Sequence, residues 1–343
     1  MKVALVAGFW GQNIGNAFFN LGGEAALRQA GHDVYLVQDQ PAYWTFRNES
    51  KGSYERRWSV VANLDVDLLV LQGPLFTRNF DRIWLEDLVA LRDRGVQWAV
   101  ISGAFRSYTE DEVAALRRVA AVAPPRLIVT RDDVSARLLR HAGFSVVSGI
   151  DSAFYLPKAV TPAPLETGEP YITLNFDHYV EPIINSPGPI ELAPGASIGV
   201  SFGRSLNALS RRSKAHAYIA QLIDRRRVPE RAAGHLIIRP EHRTNPHLPV
   251  KIYARPNAVA SDEPWTYLSL YAHTRVTISD RVHACVATLA YGNRAMLYNP
   301  TTRRSALFEA AGVPRIAEEP VRLDLSLVER RWQELLHTLA SLN

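Results

Sequence analysis

The sequence is nearly free of cysteine: Cys285 is the single thiol in 343 residues. One thiol excludes an intrachain disulfide and a cysteine-based zinc site. It sits in an apolar run, where packing is expected rather than nucleophilic chemistry. Long apolar stretches are also missing, and none reaches the length that crosses a bilayer. There is no HExxH and no cluster of carboxylates, so no metal site is apparent. The loop after the first apolar run is not GxGxxG, which argues against a dinucleotide fold. No long basic block is interleaved with aromatics, which argues against nucleic acid. The N-terminal residues MKVALVAGFWGQNIGN lack an A-x-A cleavage pattern and read as a first strand rather than a secretory leader. The expected location is the cytoplasm, where the inner membrane face is within reach of a basic surface.

What remains is an ordinary globular composition, 47% hydrophobic and 21% charged. The length is about twice that of a typical domain. The net charge of +5, with a pI near 9.3, suits an anionic ligand or contact with an anionic membrane surface. The run Arg225, Arg226 and Arg227 closes a helical pattern and reads as a solvated face.

Short apolar runs alternate with helical patterns. Strands are expected at 2–7, 33–37, 67–71, 97–101, 126–130 and 145–148, with helices at 17–30, 81–94, 110–122 and 132–142 between them. Residues 156–170 hold four prolines and no periodicity, as a linker would. Beyond it come strands at 171–176, 235–239, 275–279 and 294–298 and helices at 214–227, 264–272, 280–291 and 326–341, with a long loop at 181–207. The pattern gives two α/β lobes with parallel sheets, residues 1–155 and 171–325, followed by a C-terminal helix over 326–343. Ligands in such sheets bind beyond the carboxyl ends of the strands, which places the chemistry in a cleft between the lobes.

The richest segment is RVTISDRVHACVATLAYGNRAMLY at 275–298, a strand, a turn, a helix, a glycine stop and a strand. Ser279 or Asp280 can cap the helix. At about 100° per residue, Arg281 and His283 fall on opposite rims of the apolar stripe in the first turn. Free N–H groups there favour an anion. Arg281 adds a planar cationic fork and His283 a proton donor that titrates near neutrality. The same spacing also fits a solvent-facing arginine and a histidine that merely bonds a carbonyl.

The stretch S-D-R-V-H-A-C-V-A-T-L-A-Y-G-N-R-A-M-L-Y resembles the C-terminal signature of the polysaccharide pyruvyl transferase family, with its R-x-H-A turn. V-T-R-D-D-V-S-A-R-L-L-R-H-A-G-F at 129–144 is similar to that family's R-D-x-x-S element, and Asp151 follows where the family often has Asp-Pro. N-I-G-N at 13–16 resembles the family's N-x-G-D, with Asn16 in place of the usual aspartate and Ser152 in place of the proline. The resemblance implies a GT-B-like fold of two Rossmann-like lobes, with the acceptor on the N-terminal side and phosphoenolpyruvate on the other. It implies transfer of pyruvate from phosphoenolpyruvate onto two hydroxyls of a sugar, giving a cyclic ketal, with no cofactor beyond the donor substrate. Arg281 then binds phosphoenolpyruvate and His283 acts as general acid.

Further candidates for substrate binding are Asn13, Gly15 and Asn16 in the loop at 8–16, and Arg131, which points toward the strand-end space. Asp132 beside it suits the helix dipole. Arg239 directly follows the strand pattern HLII and is the choice for a second anion-binding arginine. Arg303 and Arg304 follow strand 294–298 and suit a phosphate. Asp177 or His178 could serve as base near Asn175, while Arg204, His242 and Arg243 read as surface residues. Trp10, Tyr43 and Trp44 suit stacking on a sugar ring or packing in loops. The competing functions are a GT-B-type glycosyltransferase using a nucleotide sugar and a non-catalytic sugar- or phosphate-binding protein.

Overall fold

The computed structural model describes residues 1–8, 10–47, 58–176, 181–185, 199–201, 208–209, 212–213, 215–216, 219, 229–242, 257–298 and 305–342. The expected helix at 214–227, with its three arginines, lies mostly outside them.

In the first lobe, β1 (Lys2–Val6), β2 (Asp33–Val37), β3 (Leu68–Phe76), β4 (Gln97–Phe105), β5 (Leu127–Thr130) and β6 (Val147–Ser148) form a six-stranded parallel sheet in the order β2-β1-β3-β4-β5-β6. Side chains alternate between its two faces. Val3, Leu5, Leu68, Val70, Ala99 and Ile101 meet α1 (Gly15–Gln29) on one face. Ala4, Val6, Leu69, Leu71 and Val100 meet the other helices: α2 (Gln40–Arg47), α3 (Phe80–Asp93), α4 (Glu110–Val122) and α5 (Asp133–His141). Helix α2 was not expected; its short pattern is hidden among aromatic residues. Thr109 opens α4 with a reciprocal capping box to Glu112.

Residues 156–170 are not a bare linker. Asp151 caps a single turn at Ser152–Tyr155, and α6 (Leu156–Ala159) follows it directly. Phe154, Tyr155 and Leu156 are buried in the core.

The second lobe holds β7 (Tyr171–Asn175), β10 (Arg231–Ala232), β11 (His235–Pro240), β12 (Ala258–Val259), β13 (Val276–Ser279) and β14 (Arg294–Leu297). A two-residue pair, β8 (Ile183–Ile184) and β9 (Val200–Ser201), forms a small separate ribbon. The main order is β10-β11-β7-β13-β14, with β12 beside β11. Pairings are parallel except for the edge strand β10, which departs from the expected all-parallel sheet. Helices α7 (Pro264–His273) and α8 (Val282–Ala290) cover one face; α9 (Ala306–Ala310) and α10 (Leu325–Ala340) complete the chain.

One hydrophobic cluster serves both lobes. It joins Ala17, Phe18 and Phe19 of α1 with Tyr267 and Tyr271 of α7, Ala284–Ala287 of α8, and Trp332 and Leu335 of α10. Cys285 belongs to it, fully buried, and burial pushes its thiol well above the ordinary value, as befits a packing residue. The C-terminal helix α10 returns to the first lobe, where His32 Nε2 lies 3.2 Å from the Leu339 carbonyl oxygen. No helix among the described residues is long and apolar enough to cross a membrane.

Helix α1 approaches the 152–155 turn so closely that Gly22 leaves no space for a side chain: a Cβ there would lie 1.9 Å from the Ser152 carbonyl oxygen. Gly22→Ala must push backbone from backbone. The variant should lose about 3 kcal/mol in urea unfolding, the upper end of typical overpacking costs.

Candidate active site

Both sheets reverse their direction of growth at one point. In the first lobe the reversal lies between β1 and β3, and in the second between β7 and β13. Crevices at such points are where α/β sheets bind ligands. Here the two points face each other. The loop after β1 carries Asn13 and leads into Gly15. The turn after β13 carries Arg281 and leads into His283.

The turn after β13 is held rigidly. The Ser279 hydroxyl donates to the Asn175 carbonyl oxygen (2.7 Å) and accepts the Arg281 N–H (2.8 Å). The Asp280 N–H donates to the same carbonyl (3.1 Å). Arg281, rather than the expected Ser279 or Asp280, occupies the cap position of α8, and no side chain caps that helix. The Arg281 side chain is 7% exposed and reaches across the lobes: its Nη2 donates to Asn13 Oδ1 at 2.5 Å. Asn13 Nδ2 donates in turn to Asn16 Oδ1 at 3.1 Å. The Asn16 side chain is thus buried within a polar relay that ends at Arg281.

His283 rests against the start of α1. Its ring lies 5.4 Å from that of Phe19, and a Cβ on Gly15 would sit 2.9 Å from its own Cβ. Its Nε2 is buried with no hydrogen-bond partner among the described residues. The nearest charge is Asp151 Oδ2 at 3.7 Å, an ion-pair contact rather than a hydrogen bond. Asp151 is fully buried; it accepts Arg131 Nη1 at 2.9 Å and the Ala153 N–H at 3.0 Å. Burial alone would raise this carboxyl. Contact with His283, the Arg131 charge and the Ala153 N–H outweigh burial and hold it well below the usual carboxylate range.

The R-D-x-x-S element builds the support for this group. Asp132 caps α5, accepting the Ser135 N–H (2.7 Å) and hydroxyl (3.1 Å). The Ser135 hydroxyl also accepts the Phe105 N–H at the end of β4 (3.1 Å). Arg131 is thereby aimed at Asp151. The structure thus brings Arg281, His283, Arg131, Asn13, Gly15 and Asn16 together at the lobe contact.

Arg239 is a correction. It was expected to line the site as a second anion-binding arginine, but its side chain is fully buried. Its Nε and Nη2 grip Glu181 at 2.8 and 2.7 Å, and Nη2 also donates to the Pro229 carbonyl. The anion it binds belongs to the chain itself. His242 is a second correction, being buried rather than at the surface. It lies 2.5 Å from the Tyr271 hydroxyl and edge-on to Phe18. Burial, then the neighbouring Arg281 and His283, push its imidazole well below the ordinary value. Arg303, Arg304, Asp177, His178, Arg204 and Arg243 lie outside the described residues. Trp10 packs against the shared core, and Trp44 stands apart on α2.

A family model described as polysaccharide pyruvyl transferase matches residues 13–295. The chain belongs to the polysaccharide pyruvyl transferase family. The matched span runs from Asn13 through Arg131, Asp151, Arg281 and His283, so it encloses the whole constellation. Membership of this family makes the chain an enzyme, with a small-molecule donor and acceptor. No curated protein matches the sequence. Among solved structures, a Listeria monocytogenes protein assigned as a UDP-N-acetylglucosamine 2-epimerase is similar at a TM-score of 0.53 and 11% identity, covering 99% of this chain and 90% of its own. The Methanocaldococcus jannaschii UDP-GlcNAc 2-epimerase, in complex with UDP-GlcNAc and UDP, gives 0.50 and 12%, covering 98% and 93%. At such identity the likeness concerns the fold: two Rossmann-like lobes of the GT-B kind.

Asp151→Asn should cost about 3–5 kcal/mol at neutral pH, because it strands the Arg131 guanidinium in a nearly closed site. In urea unfolding, the deficit relative to the parent should be constant above about pH 5. It should shrink as the pH falls through the depressed carboxyl value, since protonation then removes the same charge from the parent protein.

Proposed function

We propose that this enzyme transfers a pyruvyl group from phosphoenolpyruvate to two hydroxyls of a sugar, in a surface polysaccharide or its precursor. The observation that carries the reading is the placing of Arg281, bonded to Asn13, and of His283, beside the Asp151–Arg131 pair, at the facing crevices of the two sheets. The reaction needs a proton donor beside a cationic seat for an anion, and these residues supply both.

In this reading the imidazolium of His283 gives its proton to C3 of the enol, which becomes a methyl group. C2 turns electrophilic, and one sugar hydroxyl adds to it. The C2–O bond to phosphate breaks, a second hydroxyl closes the ring, and phosphate leaves. One hydroxyl proton restores the imidazolium and the other departs with phosphate. Asp151, ionised beside the ring, stabilises the imidazolium and fixes its orientation. Arg281 exchanges its bond to Asn13 for the donor's carboxylate or phosphate, a stronger charge-assisted contact. An aspartate at position 16 would place negative charge two links from Arg281. Asn16 keeps the hydrogen bond without that charge. The N-terminal turn of α8 adds its free N–H groups to the same anion.

A second reading draws on the fold. The Methanocaldococcus jannaschii relative is solved with UDP-GlcNAc and UDP. On this reading the chain modifies a nucleotide sugar, and Arg281 holds the diphosphate. The basic net charge serves either anion.

The two readings separate in a thermal-shift titration of the whole protein. Pyruvyl transfer requires phosphoenolpyruvate to raise the melting temperature while UDP-GlcNAc does not; the opposite result removes it in favour of the second. Under pyruvyl transfer, His283→Ala should lower kcat for acceptor-dependent phosphate release by about 10²–10⁴-fold. Arg281→Ala should raise KM for phosphoenolpyruvate. Unchanged kinetics in His283→Ala would remove the acid assignment.

A further inference from the structure

The carboxyl rim of the first sheet holds a cavity of about 220 Å³ that the reacting residues do not use. It lies beyond the ends of β3 and β4, among Trp44, Thr77, Arg78, Asn79, Arg106 and Asp111. Its volume is that of about seven waters, close to one pyranose ring.

Its chemistry is that of a neutral, hydroxyl-rich ring. Trp44 is half-buried and packs against the outer-face core, so the indole is a fixed apolar wall. Around it stand planar amide, guanidinium and carboxylate groups and the hydroxyls of Thr77, Ser107 and Thr109, which suit vicinal hydroxyl pairs. Arg106 is tied down: its Nη1 donates to the Thr45 carbonyl oxygen at 2.8 Å, pinning the end of α2 to the end of β4. Glu112, also at the lining, has its carboxylate taken by the Ser107 and Thr109 N–H groups. Two arginines facing Asp111 and Glu112 leave no formal charge excess. The cavity therefore differs from the Arg281 site, where cation prevails.

Its position is informative as well. In the sheet, β3 and β4 stand between β1 and β5, whose ends carry Asn13 and Arg131. Adjacent strands are about 4.8 Å apart. The cavity opens on the outer-helix side of the rim, and His283 lies on the α1 side. A saccharide crossing the rim could place one ring in the cavity and the next at the reacting centre.

We propose that this cavity binds one neutral pyranose unit of the acceptor, with Trp44 against the C–H face of the ring. The word acceptor rests on the pyruvyl-transfer reading; pyranose binding does not. The test uses the full-length protein and saturation-transfer NMR with methyl pyranosides of neutral hexoses and N-acetylhexosamines. At least one should bind, and Trp44→Ala should weaken it tenfold or more. Asn79→Ala and Asp111→Ala, nearer the surface, should each weaken it about fivefold and decide the matter if Trp44→Ala does not fold. Protection by phosphoenolpyruvate, measured on the same variants, should stay within twofold of the parent. The proposal is overturned if no pyranoside binds, or if binding in the folded variants stays within twofold of the parent. Loss of phosphoenolpyruvate protection in the parent itself, with pyranoside binding intact and mapped to Trp44, would sink pyruvyl transfer and leave the pocket standing.

Discussion

The hydrogen bond from Arg281 to Asn13 is the contact on which the site depends. It joins the start of one helix in the second lobe to the loop before another in the first. Around it, Gly15 admits the His283 ring, and Phe19 supports that ring from the α1 side. A larger residue at position 15 would hold the two helix starts apart. The polar relay from Asn16 would then end in space, and His283 would lose its place beside Asp151.

Burial sets the electrostatics of this contact. A carboxylate removed from water is ordinarily driven toward its neutral form. Asp151 stays charged because Arg131, His283 and a backbone N–H converge on it. His242 shows the reverse case. It is as deeply buried, and burial, reinforced by Arg281 and His283 nearby, pushes its imidazole well below the ordinary value, so it serves as a packing and hydrogen-bonding group against Tyr271 and Phe18.

Much of this was readable from the residues. The alternation of strands and helices is local, and short apolar runs bounded by glycine marked most of the elements to within a few positions. The R-x-H turn could be placed because a strand, a cap and a helix start are close in sequence. What stayed hidden was partnership across distance. Arg239 and Glu181 are separated by the loop expected at 181–207 and the helix expected at 214–227, so nothing local revealed that the arginine already had its carboxylate. Asp151 could be seen only as a residue after a family element; its meeting with His283 spans the two lobes. Helix α2 was masked by Tyr43, Trp44 and Phe46, whose aromatic rings read equally well as a loop. Its Trp44, expected in a loop for stacking or packing, gains its neighbours from the ends of β3 and β4.

The return of α10 to the first lobe has a consequence for biosynthesis. His32 finds its carbonyl partner 307 residues later, at Leu339. Ribosomes add about 5–20 residues per second, so a nascent first lobe waits roughly 15–60 s for that helix to emerge. Throughout this interval the outer edge of α1 is without its final cover. A chain built this way closes its first lobe only once that helix has emerged and docked.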